Sequence, residues 1–181
     1  MFIGSYSGGI YYFENIGSST QHNFVSSGSI EGDFSNINRT APRFIDLDYD
    51  NDFDLVLGTA SEGLLIYWNI GDENNYNFLK DECIEIPFYG YNTKPWIGDI
   101  DNDHIFDIIV GISTGGFLHY TISKMGDTNS DNNLDILDII IIVNHIVYLY
   151  PEFTSICGID MNHDNFLDIS DVVLLLNTIM E

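Results

Sequence analysis

The chain has 181 residues, 5 Lys plus Arg against 28 Asp plus Glu, and a formal net charge of −23. That balance excludes nucleic acid, whose phosphates demand cationic partners, and an anionic membrane surface. With 45% apolar and 14% aromatic residues the chain is too rich in core formers to be a disordered acidic tail, so its carboxylates are expected to gather around metal ions.

The chain opens on Met1-Phe2-Ile3-Gly4, without the basic and long apolar regions of a signal peptide. Gly4, Gly58 and Gly111 are spaced by 54 and 53 residues, and Gly9, Gly63 and Gly116 keep the same steps. Pro42, Asp46, Asp48, Asp50 and Asp54 recur as Pro95, Asp99, Asp101, Asp103 and Asp107. Such coincident offsets define an internal repeat. Within it, Arg43 to Ile45 leads into an acidic loop, and Asp54 to Gly58 leaves it as a β-branched strand. Ser61-Glu62-Gly63 makes a turn, Leu64 to Ile70 a further strand, and a fourth is expected around Phe78 to Ile86. Gln21 to Thr40, rich in Ser, Gly and Asn, reads as a long connection with at most one strand. Four strands per repeat of this length is the pattern of a β-propeller blade, with a duplicated β-sandwich as the other architecture.

Each acidic loop places carboxylates at positions 1, 3, 5 and 9: Asp46, Asp48, Asp50 and Asp54, then Asp99, Asp101, Asp103 and Asp107. So many like charges on one short turn repel one another unless a hard cation lies between them. The D-x-D-x-D-x-x-x-D pattern followed by Leu-Val-Leu-Gly or Ile-Ile-Val-Gly resembles the FG-GAP/VCBS repeat, over about residues 2–123. The resemblance implies a calcium-binding propeller and assigns those eight aspartates as ligands, completed by the carbonyls of Asp52 and Ile105. The sixth position, usually Gly, is Asn51 or His104 here, residue types that tolerate left-handed backbone. The fragment amounts to about 2.5 four-stranded blades, and the expectation is of the C-terminal part of a longer secreted or cell-surface protein whose upstream portion carries the signal.

After Ser123 the pattern changes. Asp127 and Asp160 are 33 residues apart, and the offset holds from Asn129/Asn162 and Asp131/Asp164 through Asp135/Asp168 and Asp138/Asp171 to Asn144/Asn177. Both are twelve-residue loops of EF-hand spacing running straight into an apolar segment. Ile136, Ile140, Val143 and Val147 share one helical face, as do Ile169, Val173, Leu176 and Met180. Pro151 is expected to end the first helix region. The helices are too apolar for one buried stripe, so part of their surface is expected to meet a partner or the propeller. Ile139 to Tyr150 is too short to span a bilayer.

Two D-x-N-x-D-x-x-x-D-x-x-D loops, each followed by a helix and preceded by none, resemble a type I dockerin over residues 126–181. The fold class expected is therefore multidomain β plus α, with a propeller fragment at 1–123 and a dockerin-like, EF-hand-like module at 124–181. The resemblance implies calcium at Asp127, Asn129, Asp131, Asp135 and Asp138, and at Asp160, Asn162, Asp164, Asp168 and Asp171, for up to four Ca2+ sites in all. It also implies a cohesin-like protein partner chosen by loop positions 10 and 11. These are Ile136-Leu137 and Ile169-Ser170, unlike the hydroxyl pairs of well-known cellulosomal forms, which leaves a different cohesin or an intramolecular neighbour as partner.

No nucleophile elbow, zincin motif or P-loop is present. His119, in a strand, and His145, in a helix, read as structural. Tyr67, Trp68 and Trp96 read as inter-blade packing rather than sugar platforms. Cys83 and Cys157 stand in no zinc spacing. Two functions follow. The first is a secreted, calcium-stabilised binding or assembly protein engaging polysaccharide or a surface protein, with no catalytic site in this chain. The alternative is the tail of a secreted polysaccharide-degrading hydrolase or lyase.

Overall fold

The computed structural model describes residues 1–30, 32, 34, 36–72, 75–81, 91–103, 105–148 and 158–180. The expectations for Cys83, His104, Pro151 and Cys157, and for a strand continuing to Ile86, lie outside the described residues. Three antiparallel meanders follow one another along the chain. The first is β1 (Phe2–Gly4), β2 (Ile10–Asn15) and β3 (Phe24–Ser29); the second β4 (Ala41–Ile45), β5 (Asp54–Gly58), β6 (Leu64–Asn69) and β7 (Phe78–Lys80). The third is β8 (Lys94–Gly98), β9 (Phe106–Gly111) and β10 (Phe117–Ile122). Equivalent registers show the repeat: Gly58 faces Ala41 and Leu64, as Gly111 faces Lys94 and Phe117. Among the described residues the three sheets do not form a closed ring.

Strand β5 has no polar alternation because both its faces are covered. Leu55 and Leu57 join Ile10, Phe34, Ile37 and Tyr67 in a cluster shared with the first sheet. Val56 points the other way, into a cluster of Leu64, Ile66, Trp68, Ile108 and Val110 shared with the third. Sheet-to-sheet packing is pinned by a threonine that recurs with the repeat. The Thr40 hydroxyl accepts the Ser5 N–H (2.7 Å) and donates to the Gly9 carbonyl (2.8 Å). Thr93 does the same to the Thr59 N–H (2.8 Å) and Gly63 carbonyl (2.7 Å). The glycines at the strand ends permit this approach: a Cβ on Gly4 or Gly58 would overlap the backbone carbonyl of Thr40 or Thr93.

The C-terminal module holds α1 (Ile136–Tyr148) and α2 (Ile169–Met180). Their core is Ile139, Ile142, Ile159, Val172 and Leu175. The stripe read from the sequence is therefore not the buried one: Ile136, Ile140, Val147, Ile169, Val173, Leu176 and Met180 are all exposed. The periodicity was ambiguous because Ile139 to Val143 is apolar without a break, so several stripes fit the same spacing. Trp96 is also a correction. It is 48% exposed, because no described sheet covers its side of β8, whereas Tyr67 and Trp68 pack between sheets. The module is seated directly on the sheets. Met125 is buried in the second cluster, Met161 packs against both that cluster and the helix core, and the Gly126 N–H donates to the Gly158 carbonyl (2.6 Å).

Candidate metal centres

All four acidic loops use one hydrogen-bond scaffold. The last carboxylate of each loop accepts the N–H of loop position 2: Asp54 from Leu47 (2.8 Å), Asp107 from Ile100 (3.0 Å), Asp138 from Thr128 (2.9 Å) and Asp171 from Met161 (2.8 Å). The carboxylate at position 5 accepts the N–H of position 7: Asp50 from Asp52, Asp103 from Ile105, Asp131 from Asn133 and Asp164 from Phe166, at 2.8–2.9 Å. Position 4 is left-handed throughout, at Tyr49 (φ 66°), Asn102 (65°), Ser130 (59°) and His163 (57°). Position 6 is left-handed at Asn51 (φ 74°), Asn132 (67°) and Asn165 (65°), as the residue type predicts.

In the sheet loops this scaffold brings three carboxylates together. One oxygen each from Asp46, Asp48 and Asp54, and from Asp99, Asp101 and Asp107, lie within 4.8 Å of one another. Oxygens bound to one calcium at about 2.3–2.6 Å cannot be farther apart than about 5 Å, so both triads fit that ion. Asp46 Oδ1 and Asp52 Oδ1 are buried with no hydrogen-bond partner, a costly state for a carboxylate unless a cation is its partner. Asp50 and Asp103 stand outside the triads, their carboxylates turned to the backbone at position 7.

The electrostatics differ between the two. Burial, then the Asp54 and Asp50 charges, push Asp48 up to about 8. Burial pushes Asp54 up to about 7 against the opposing N–H groups of Asn69 and Leu47. Asp46 and Asp52 are also raised, first by burial. In the second loop the Ile100 N–H and then His119 hold Asp107 below the usual carboxylate range. His119 Nε2 lies 2.6 Å from Asp107 Oδ1, so this histidine braces a loop carboxylate. The loops are coupled by the stacked rings of Tyr49 and Phe106, 5.6 Å apart and 13° from parallel.

The C-terminal loops are built to start helices as well. Asp135 accepts the Leu137 N–H (2.7 Å) while Asp138 accepts the Asp135 N–H (2.9 Å). Asp168 and Asp171 repeat this with Ser170 (2.7 Å) and Asp168 (2.8 Å). This is a capping box in which Asp replaces the customary Glu. Position 3 is an amide, and Asn129 and Asn162 donate to Asp131 and Asp164 (2.9 and 3.0 Å). Consequently no three carboxylates here meet the 4.8 Å spacing. The expected ligands Asp127, Asn129, Asp131 and Asp138, and Asp160, Asn162, Asp164 and Asp171, do line one turn each. Asp135 and Asp168 are drawn to the helix N-termini. Burial raises Asp171, and the Asn133 N–H lowers Asp131. Ile136 (58% exposed), Leu137, Ile169 (66%) and Ser170 all lie open to solvent in the first helical turns.

The threonine pins, the His119 brace and the stacking of His163 on Trp68, with ring centroids 4.7 Å apart, were missed in the sequence. For the first a signal existed: Thr40 and Thr93 keep the 53-residue offset beside Pro42 and Pro95.

Compared with known protein families, residues 46–110 match the FG-GAP-like repeat. The match runs from the first aspartate of one acidic loop through most of β9. Neither a dockerin nor a VCBS family is matched. No curated protein and no solved structure matches the chain. No helix among the described residues is long and apolar enough to cross a membrane.

Proposed function

We infer that this chain is a calcium-binding, non-catalytic binding and assembly module of a secreted or cell-surface protein. Its FG-GAP-like sheets serve as a platform of the propeller type, and its C-terminal loop–helix pair docks to a cohesin-like domain. The observation that carries the reading is the Asp46, Asp48 and Asp54 triad, with the orphaned Asp46 and Asp52 oxygens beside it. Asp46, Asp48 and Asp54 would hold the ion, and so would Asp99, Asp101 and Asp107. The bound ion would supply positive charge where the chain has concentrated negative charge. The docking half is supported by the open apolar first turns at Ile136, Leu137 and Ile169 and by the duplicated loop scaffold.

Isothermal titration of the chelator-stripped chain with calcium tests the reading. Binding is expected at or below about millimolar, the range of extracellular calcium modules, with one site lost in Asp48→Asn and another in Asp101→Asn. An absence of binding at millimolar calcium overturns it.

A further inference from the structure

The cations of this chain are few and unevenly placed. Only 5 Lys and Arg stand against 28 Asp and Glu, yet three of the five, Arg39, Arg43 and Lys94, share one exposed patch on β4, β8 and the connection before β4. Lys94 Nζ donates to the Arg39 carbonyl (3.3 Å). Burial, then the Arg39 and Arg43 charges, hold Lys94 below the ordinary lysine range. The Arg39 guanidinium lies 4.8 Å from the Tyr6 ring centroid and donates to Asn92 Oδ1 (2.7 Å). Arg43 donates to the carbonyl of its own neighbour, Pro42 (3.0 Å). Among the described residues no carboxylate pairs with any of the three.

Three unpaired like charges in one place repel, and a chain so rich in carboxylates sets none beside them. The Arg43 contact joins no two sheets, so architecture does not account for its charge. Aromatic rings lie open beside the cations. Tyr6, in the β1–β2 turn, is 75% exposed. Trp96 stands two residues after Lys94, on the same face of β8, at the repeat position that Arg43 holds in β4. The helical module leaves this surface free, because it packs beside Tyr49 and Asn69 at the acidic-loop end of the sheets. Positive heads next to open rings match a ligand that carries a carboxylate and an apolar ring face on each unit. A uronic acid does: its carboxylate suits a guanidinium fork, and its C–H face lies flat on a phenol or indole. An acidic peptide offers the carboxylates without the ring faces.

We propose that Arg39, Arg43 and Lys94, with Tyr6 and Trp96, form a binding surface for an acidic, uronate-containing saccharide. The inference names a ligand for the binding platform and rests on that reading, but it uses none of the metal sites. Calorimetry of the full chain with a galacturonate trimer tests it, with and without calcium. Binding tighter than about 1 mM is expected in both conditions, with a change in Trp96 emission, since Trp68 is only 5% exposed. A neutral glucose trimer and a glutamate hexapeptide should bind at least about tenfold more weakly. Arg43→Gln, whose head group bonds only to Pro42, should weaken the trimer at least about tenfold, the scale of one charge-assisted hydrogen bond. Adding Lys94→Gln should abolish binding. Calcium titration of the same variants should be unchanged, which separates this surface from the acidic loops. No binding at about 10 mM trimer, or equal binding of the neutral sugar, overturns the proposal. Equal or tighter binding of the peptide makes the patch a protein contact and overturns it too. Binding that needs calcium and survives both substitutions would lie at the acidic loops, and it overturns the proposal as well.

Discussion

Asp48 is where the chemistry of this chain is most concentrated. It is ionised only at the expense of burial and of the neighbouring Asp54, Asp50 and Asp46 carboxylates, which push it up to about 8, and Asp54 follows at about 7. In the unfolded chain both titrate near about 3.9. Without calcium the folded state therefore holds more protons than the unfolded one between about pH 4 and pH 8, and stability falls as pH rises through that window. Urea denaturation in chelator should give a higher midpoint at pH 5.5 than at pH 8.5, and saturating calcium should flatten or reverse that order. Asp48→Asn is expected to act in opposite directions: it stabilises the calcium-free protein at pH 8.5 and weakens calcium binding at its loop at least about tenfold. A parallel loss of both would mean that Asp48 is a plain structural carboxylate. Single residues were partly legible in advance. Asn at position 6 announced its left-handed backbone, because few residue types adopt it at low cost. His163 announced nothing, since its role exists only where a loop 95 residues downstream meets Trp68.

The elements show why some boundaries could be read and others not. Strand β5 begins and ends where the sequence placed it, at Asp54 and Gly58, because an apolar run there is bounded by the last aspartate of the acidic loop and a glycine that the next repeat presses against. The helix faces could not be read, since an unbroken isoleucine run has no polar stripe to mark its outside. The threonine pins are tertiary contacts that hold neighbouring sheets in register. Removing the hydroxyl in Thr93→Val takes one of two partners from the buried Thr59 N–H and one from the Gly63 carbonyl, which still bond each other at 3.1 Å, so the cost is that of hydrogen bonds lost rather than of orphaned groups, about 0.5–1.5 kcal/mol. Thr93→Ser should recover most of that loss. Equal destabilisation by Val and Ser in urea melts would show that the methyl group, not the hydroxyl, carries the contact. The capping boxes make a parallel case on the helical side. Asp135→Ala should cost about 0.5–2 kcal/mol and lower the helical circular dichroism signal even when calcium is held at chelator level.

Over the whole molecule, the charge of −23 is distributed unevenly in a way that links stability to ions. The acidic loops lie where strands and helices begin, so repulsion among their carboxylates acts beside the cores. Calcium at the two sheet triads would remove about four charges and leave roughly −19, which still favours solubility. Screening offers a second and weaker relief. The Debye length falls from about 10 Å at 0.1 M to about 3 Å at 1 M salt, short enough to damp repulsion between loops but not within a buried triad such as Asp46, Asp48 and Asp54. The calcium-free chain should therefore melt at a higher temperature as sodium chloride rises from 0.05 to 1 M, yet stay below the calcium-loaded protein at every salt concentration. The calcium-loaded protein should respond less to the same series. If salt alone restores the full calcium-loaded melting temperature, long-range repulsion rather than ligation within the loops would be what calcium relieves.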